Sequence, residues 1–117
     1  MNSEELENRL VDFSISVSQI CASLEQTELG KNLSQQLIRS STSSALNFGE
    51  SRGAESKKDF IHKLRITLKE LRESFISLKI LEKSASSNNA DELDKVVDEC
   101  NQLISIFVAS IRTAENK

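Results

Sequence analysis

The segment from residue 56 to residue 83, SKKDFIHKLRITLKELRESFISLKILEK, decides the fold of this chain. Its large apolar residues follow one another in alternating steps of three and four, which places them on one stripe of an α-helix. At ~1.5 Å per residue, this helix is about 40 Å long. Because an apolar stripe of that length cannot stay in water, the remaining segments are expected to cover it. The stripe consists of Ile61, Leu64, Leu68, Leu71, Phe75 and Leu78.

The composition is typical of an all-α protein with a single domain. The 117 residues include no proline and only three glycines, and aromatic residues make up 4% of the chain. This length is enough for one hydrophobic core and too short for two. No apolar run is long enough to cross a membrane. The polar, acidic start of residues 1–5 is unlike a targeting signal, so we expect a cytoplasmic protein without membrane partners.

Two outer segments, at about residues 4–26 and 91–114, carry the same apolar spacing and are predicted to be helices. The hydroxyl of Ser3 suits an N-cap of the first helix. Acids at the start of the last helix, near residue 91, suit the positive end of a helix. Ile15 and Ala22 are expected to widen the first stripe. The stripes consist of Leu6, Leu10, Phe13, Val17, Ile20 and Leu24 in the first helix, and of Leu93, Val96 or Val97, Cys100, Ile104, Phe107, Ile111 and Ala114 in the last.

The segment of residues 31–49 is predicted to be a helix, although residues 40–44 at its centre read SSTSS. Serine and threonine compete for backbone hydrogen bonds and lower the helix propensity, so a loop is the alternative interpretation. In a helix, these small side chains would let a neighbouring helix approach closely. We therefore prefer the helical interpretation.

Polar connections separate the predicted helices. Residues 49–55 include two glycines and end one helix, and Ser56 with Asp59 forms a candidate capping pair for the next. Residues 84–90 form a second polar connection, which we expect to be mobile. Four amphipathic helices with short links predict an antiparallel, up-down-up-down four-helix bundle that occupies residues 1–117 as one domain. The predicted helices span about residues 4–26, 31–49, 56–83 and 91–114.

Several apolar residues lie outside the main stripes of the third and fourth predicted helices. They widen these helices beyond what one bundle core needs, which indicates self-association through an outer face. Single exposed apolar residues are also common on monomeric proteins, which is the alternative. The residues are Ile66, Ile76, Ile80, Leu103, Ile106 and Val108.

The sequence contains no recognisable catalytic, cofactor or metal motif. Cys21 and Cys100 occupy apolar-stripe positions, which favours buried free thiols. A disulfide between them requires neighbouring helices, and a reducing compartment opposes it. His62, the one histidine, has no nucleophile or metal-ligand partner at a recognisable spacing. We therefore predict a protein that is not an enzyme and has no cofactor or metal site.

The charges are distributed unevenly along the chain. The formal net charge of −3 disfavours a nucleic-acid-binding protein, yet residues 52–72 carry seven bases and three acids. Four of these bases recur on one flank of the predicted helix and are candidate phosphate contacts. The alternative is a solvated face whose bases pair with acids of the same helix. The four bases are Lys58, Arg65, Lys69 and Arg72. The acids that would pair with them in the alternative interpretation are Glu55, Asp59, Glu70 and, just beyond this range, Glu73.

Five polar residues in the middle of the chain are candidates for a structural network rather than for chemistry. Arg39 can pair with Glu70 or Glu73, within one chain or between subunits. Asn47 and Glu50 can close the turn that precedes the long helix. Buried polar groups in helical bundles often fix the alignment of helices and the choice of partner.

The middle third of the chain contains four short segments that resemble one protein family. These segments are QLIRSSTSS (36–44), NFGE (47–50), GAESKKDFIHKL (53–64) and LKELRE (68–73). With them, the chain resembles the bacterial four-helix-bundle proteins first noticed in intervening sequences of large-subunit ribosomal RNA genes. The family usually has Asn-Ile-Ala-Glu-Gly where this chain has Asn-Phe-Gly-Glu-Ser at residues 47–51.

The resemblance implies a small cytoplasmic bundle that assembles into a ring-like homopentamer and has no established enzymatic activity. It also implies a relation to accessory proteins of diversity-generating retroelements, in which a basic pentamer binds the reverse transcriptase and nucleic acid. Our leading prediction is a non-enzymatic, homo-oligomeric assembly or adaptor protein that presents a repeated surface to a protein partner. The alternative is a nucleic-acid-binding accessory factor, for example one that serves a reverse transcriptase.

Overall fold

The computed structural model describes residues 1–84 and 89–117. Each helix packs against its neighbours in sequence, and the first also packs against the last, so that the four helices surround one core. This arrangement confirms the all-α, antiparallel four-helix bundle. Within the described ranges, no helix is both long and apolar enough to span a membrane. The helices are α1 (Ser3–Ala22), α2 (Glu28–Ser51), α3 (Lys57–Ser84) and α4 (Ala90–Glu115).

The second polar connection, predicted at residues 84–90, falls largely on residues 85–88, which lie outside the described residues. The first connection differs slightly from the prediction, because α2 continues through Gly49 and ends at Ser51. At the start of α3, the backbone N–H of Asp59 donates a hydrogen bond to Ser56 Oγ at 3.0 Å. Ser56 therefore caps the long helix.

The connection between α1 and α2 lies earlier in the chain than predicted, because α1 ends at Ala22 and α2 already begins at Glu28. Thr27 caps α2, since its Oγ1 accepts a hydrogen bond from the Gly30 backbone N–H at 3.0 Å. A Cβ atom on Gly30 would lie 2.6 Å from the backbone oxygen of Glu25. Only glycine fits this close approach of the two chain segments.

The start of α1 also differs from the prediction. Asn2, and not Ser3, is the N-cap, and its Oδ1 accepts a hydrogen bond from the Glu5 backbone N–H at 2.8 Å. Ser3 is the first residue of the helix. Asparagine and serine are about equally good N-caps, so the residue type alone does not decide between them.

The serine-rich centre of α2 is helical, and the loop interpretation is wrong. The hydroxyls bond back to carbonyl oxygens of the preceding turn, for example Ser44 Oγ to the oxygen of Ser41 at 2.7 Å and Thr42 Oγ1 to that of Ile38 at 2.7 Å. Their hydrogen-bonding capacity is thus used inside the helix and does not break it. Ser40, Ser41 and Ser44 are buried.

Helices α2 and α3 meet through small polar side chains. The hydroxyl oxygens of Ser40 and Ser74 lie 2.7 Å apart in a hydrogen bond that is fully buried. Side chains this short let two helix backbones approach closely. The buried residues on the α2 side of α3 are Thr67, Glu70, Ser74 and Ser77.

The buried face of α3 is therefore rotated relative to the predicted stripe. Leu64, Leu71 and Leu78 are buried as predicted, but the other three stripe residues are only half-buried. The rotation follows from α2, whose serines fit small residues on α3 better than large ones. The half-buried residues are Ile61, Leu68 and Phe75.

The apolar stripes of the two outer helices form the rest of the core. All six residues of the first predicted stripe are buried, five in α1 and Leu24 just after it, whereas Ile15 and Ala22 do not widen the stripe and are exposed. On α4, Leu103 is fully buried, while Ile104 and Ala114 are half-buried. Buried stripe residues of α4 are Leu93, Val96, Cys100, Phe107 and Ile111.

Both cysteines are free thiols. Cys100 is buried, and its Sγ lies 3.3 Å from the Leu71 backbone oxygen on α3. Burial raises the pKa of the Cys100 thiol to about 12. Cys21 is half-buried, with its Sγ 3.9 Å from the Ser34 backbone oxygen on α2, and burial also raises its pKa.

We expect iodoacetamide to label Cys21 slowly at pH 8 and to leave Cys100 unlabelled until the chain unfolds, because only the thiolate reacts. The raised pKa of Cys100 also stabilises the fold below pH 9, its ordinary value, and that contribution is lost as the pH rises towards 12. Mass spectrometry of peptides from native and urea-unfolded protein measures the labelling. Equal labelling of both cysteines in the native protein would contradict the buried position of Cys100.

Candidate functional site

The four bases of the predicted phosphate-contact row lie on the outer side of α3, away from the core. Lys58, Arg65, Lys69 and Arg72 are all exposed. Only Arg65 forms an ion pair among the described residues, with Glu115 of α4 at 3.1 Å. The other three cations are thus available to an external anion. We call this row, with its extension below, the basic α3 face.

The basic α3 face continues beyond Arg72 towards the end of the helix. Ile76 and Ile80 are exposed, by 59% and 40% respectively, and Lys83 is exposed as well. Steps of four, four and three place these residues in line with the preceding bases. The face therefore combines cations with an apolar patch.

Two of the four acids that were predicted to pair with the basic row, Glu70 and Glu73, are bound by α2 instead. Arg39 of α2 binds both of them, with Nη1 at 3.0 Å from Glu70 Oε2 and Nη2 at 2.5 Å from Glu73 Oε2. The Glu70 side chain is only 10% exposed, so its carboxylate depends on this partner. The hydrogen bond that Arg39 donates to Glu73 and the charge of Glu70 raise the pKa of Arg39, which stays charged. The basic α3 face thus keeps its positive charge.

The remaining residues of the predicted polar network act separately. Glu50 on α2 pairs with Lys63 on α3, with Oε2 and Nζ 3.4 Å apart. Asn47 does not reach the turn. Its Nδ2 donates to the Ser43 backbone oxygen at 2.9 Å, because both residues lie one turn apart on α2. The network is therefore one ion cluster at Arg39 and two local contacts.

The sequence reasoning missed a second surface, which we call the α1–α2 face. The two helices touch where Ser14 Oγ donates to the Ser41 backbone oxygen at 2.9 Å. Beside this contact, α1 and α2 carry exposed apolar and small residues. A groove of about 430 Å³ lies towards the connection between the two helices, where Glu25 and Lys31 also line it. The face consists of Val11, Ile15, Ser18 and Ala22 on α1, and of Ile38, Thr42 and Leu46 on α2.

Four residues of the α1–α2 face are large and apolar, and 42–69% of their surface is exposed. A sequence signal for this face exists in the charges. Residues 13–24 and residues 40–49 contain no charged side chain at all. Solvent-exposed helix faces usually carry charges, so an uncharged exposed face indicates contact with another surface.

His62 is exposed on α3. Among the residues that the structure describes, no group of three histidine, cysteine or acidic side chains is placed to hold a metal ion.

A crystal structure of a protein of unknown function from the S23 ribosomal protein family of Bacteroides thetaiotaomicron is similar to this chain. The TM-score is 0.84 at 23% identity, and the similarity covers 96% of this chain and 99% of the other. A comparison with curated proteins finds no match. The family model described as 23S rRNA-intervening sequence protein matches residues 5–109. The chain belongs to the family of 23S rRNA-intervening sequence proteins.

Proposed function

We propose that this chain is a non-enzymatic assembly protein that forms a homo-oligomer, a ring of five copies, and presents its surface repeatedly to a protein partner. The uncharged α1–α2 face is the observation that carries the proposal. Copies of a chain with net charge −3 repel one another. They approach at least cost through a face that carries no charge and buries apolar area on contact.

The two surfaces that meet at a ring interface can differ in their residues. In a ring, each subunit contacts its neighbours through two different surfaces. The α1–α2 face supplies one of them, and a different surface of the neighbouring copy, outside the basic α3 face, supplies the other. Because every subunit faces outward in the same way, the ring repeats the basic α3 face in each copy. A repeated weak site gains avidity for a partner with several matching sites.

The oligomeric state tests the proposal directly. Light scattering on the purified chain is expected to give about 66 kDa, five times the 13.1 kDa chain. A double variant, Ile15→Glu with Leu46→Glu, is expected to give the mass of a single chain, because each charge would be buried without a partner. Both positions are exposed, so the substitutions leave the core intact.

Ile76→Glu is the matched control, because Ile76 has a similar exposure but lies on the basic α3 face. It is expected to keep the mass of the unsubstituted protein. A monomeric unsubstituted protein at micromolar concentration rejects the proposal. So does a double variant that stays folded by circular dichroism and keeps the full mass.

The second candidate function is that of a nucleic-acid-binding accessory factor, for example for a reverse transcriptase. It is favoured by one observation, the pairing of Glu70 and Glu73 with Arg39, which leaves Lys69 and Arg72 without an ion pair among the described residues. Lys58, Lys69 and Arg72 would then contact phosphates. A ring would repeat these cations in every subunit.

Fluorescence anisotropy with a single-stranded RNA and the matching DNA tests this second function. Three phosphate contacts on a single strand predict a loss of affinity of about 20-fold between 50 and 200 mM salt. The triple variant with glutamate at 58, 69 and 72 is expected to abolish binding. A control triple variant, Lys31→Glu with Lys95→Glu and Lys117→Glu, changes the net charge equally but lies outside α3. Absence of binding at 50 mM salt, or equal effects of both triple variants, rejects a phosphate-binding α3 face.

A further inference from the structure

An open cleft of about 850 Å³ lies at the end of the bundle where α2 ends, α3 begins and α4 ends. The ring of Phe48, which is 5% exposed, and the half-buried ring of Phe60 line its inner side. Ala109 and Ala114 of α4 line the opposite side with methyl groups only. The cleft therefore has the size and the apolar walls of a small-molecule site.

The cleft is positively charged although the chain as a whole is negative. Its lining contains Arg52, Lys57 and Lys117 and no acidic residue. Arg52 is paired at 3.0 Å with Glu7, which lies outside the lining. Lys57 Nζ donates to the backbone oxygen of Lys117 and retains further N–H groups. Neither lysine forms an ion pair with an acidic side chain among the described residues.

The cleft also holds polar groups without a partner. The hydroxyls of Ser110 and Thr113, both on α4, line it and form no hydrogen bond with any described residue. Elsewhere in this bundle, serine and threonine hydroxyls commonly bond back to the preceding turn, as Ser105 does on the same helix at 3.2 Å. Ser110 is half-buried, so its hydroxyl faces the cleft rather than open water. These hydroxyls can donate to a ligand.

We propose that this cleft binds a small organic anion with one anionic group and an apolar body, of the class of medium-chain or aromatic carboxylates. The apolar body packs on Phe48 and Phe60, and the anionic group lies between Lys57 and the hydroxyls of α4. A cationic or neutral ligand with the same apolar body cannot form the interaction of the anionic group with Lys57 and the hydroxyls of α4. The inference does not depend on the oligomeric state, because every lining residue belongs to one chain.

Titration of the full chain with octanoate, followed by amide chemical shifts, tests the inference. Octanoate is expected to bind saturably and to shift the amides of residues 54 and 109, while octylammonium leaves them unchanged. Lys57→Glu is expected to weaken octanoate binding at least about tenfold, because it removes a charge-assisted hydrogen bond. Ala109→Trp is expected to abolish binding by filling the cleft. Ala109 is exposed, so the fold tolerates the larger side chain.

Lys83→Glu is the matched control, because it makes the same charge change at the opposite end of α3. It is expected to leave octanoate binding unchanged. Saturable octanoate binding that both cleft substitutions weaken supports the site. Absence of octanoate binding, equally strong binding of octylammonium, or binding that survives both substitutions overturns it. Circular dichroism of each variant confirms that the bundle is folded.

Discussion

Replacing Phe107 with alanine is expected to lower the free energy of unfolding by about 4 kcal/mol. Phe107 is fully buried on α4, and its ring packs edge to face against Phe48 of α2, with centroids 5.3 Å apart. These two helices are not neighbours around the bundle, so the pair joins opposite sides of the core. The substitution removes the buried ring and leaves a cavity that four packed helices cannot close.

Urea unfolding followed by circular dichroism measures this effect, at one fixed chain concentration because the stability of an oligomer depends on concentration. Phe107→Leu is the control and is expected to cost less than half as much, since it keeps most of the apolar volume. A loss below about 1 kcal/mol for Phe107→Ala would show that the side chain is not a central part of the core.

Replacing Ser74 with leucine is expected to lower the free energy of unfolding by about 3 kcal/mol, although leucine is the better helix former. Ser74 is fully buried, and its hydroxyl bonds to Ser40 at 2.7 Å and to the Glu70 backbone oxygen at 3.0 Å. A leucine side chain has no space between α2 and α3 at this separation. The helices would have to move apart and weaken the leucine contacts on either side.

Ser74→Ala separates the effect of size from that of the hydrogen bond. It removes the hydroxyl without adding volume, and it is expected to cost about 1 kcal/mol. The same urea titration measures both variants. A leucine variant as stable as the unsubstituted protein would contradict the close contact of α2 and α3.

The number of helices and the fold class were predictable, because apolar residues recur at helical spacing in every helix. The spacing also identified the whole buried stripe of α1. It failed on α3, where Phe75 and Leu68 are only half-buried while Ser74 and Ser77 are buried. Spacing identifies apolar residues but does not reveal that the neighbouring helix presents serines, which require small partners.

The candidate surfaces were predictable to different degrees. Helical spacing alone placed the four bases together on the outer side of α3. The pairing of Arg39 with Glu70 or Glu73 was also predicted. That Arg39 binds both acids at once was not, since this requires the position of α2. The exposure of Ile15 and Leu46 was missed because an apolar residue beside a stripe looks like a wider stripe.

The cleft at the bundle end could not have been predicted from sequence. Its walls come from all four helices and a turn, and its lining residues are far apart in the chain. Phe48 and Ala109, for example, face one another only because α2 and α4 end at the same side of the bundle. No local pattern in the chain carries this information.

The pairing of hydroxyls between α2 and α3 has a consequence for how the chain finds its native arrangement. Two helices that pack only through leucines can shift along each other by one turn at little cost in free energy, because every turn offers similar side chains. Here such a slip would bring Glu70 or Leu78 to Ser40 in place of Ser74, and would strand a carboxylate away from Arg39. The hydroxyl pair therefore favours one alignment of α2 and α3 over the alignments that are shifted by one turn.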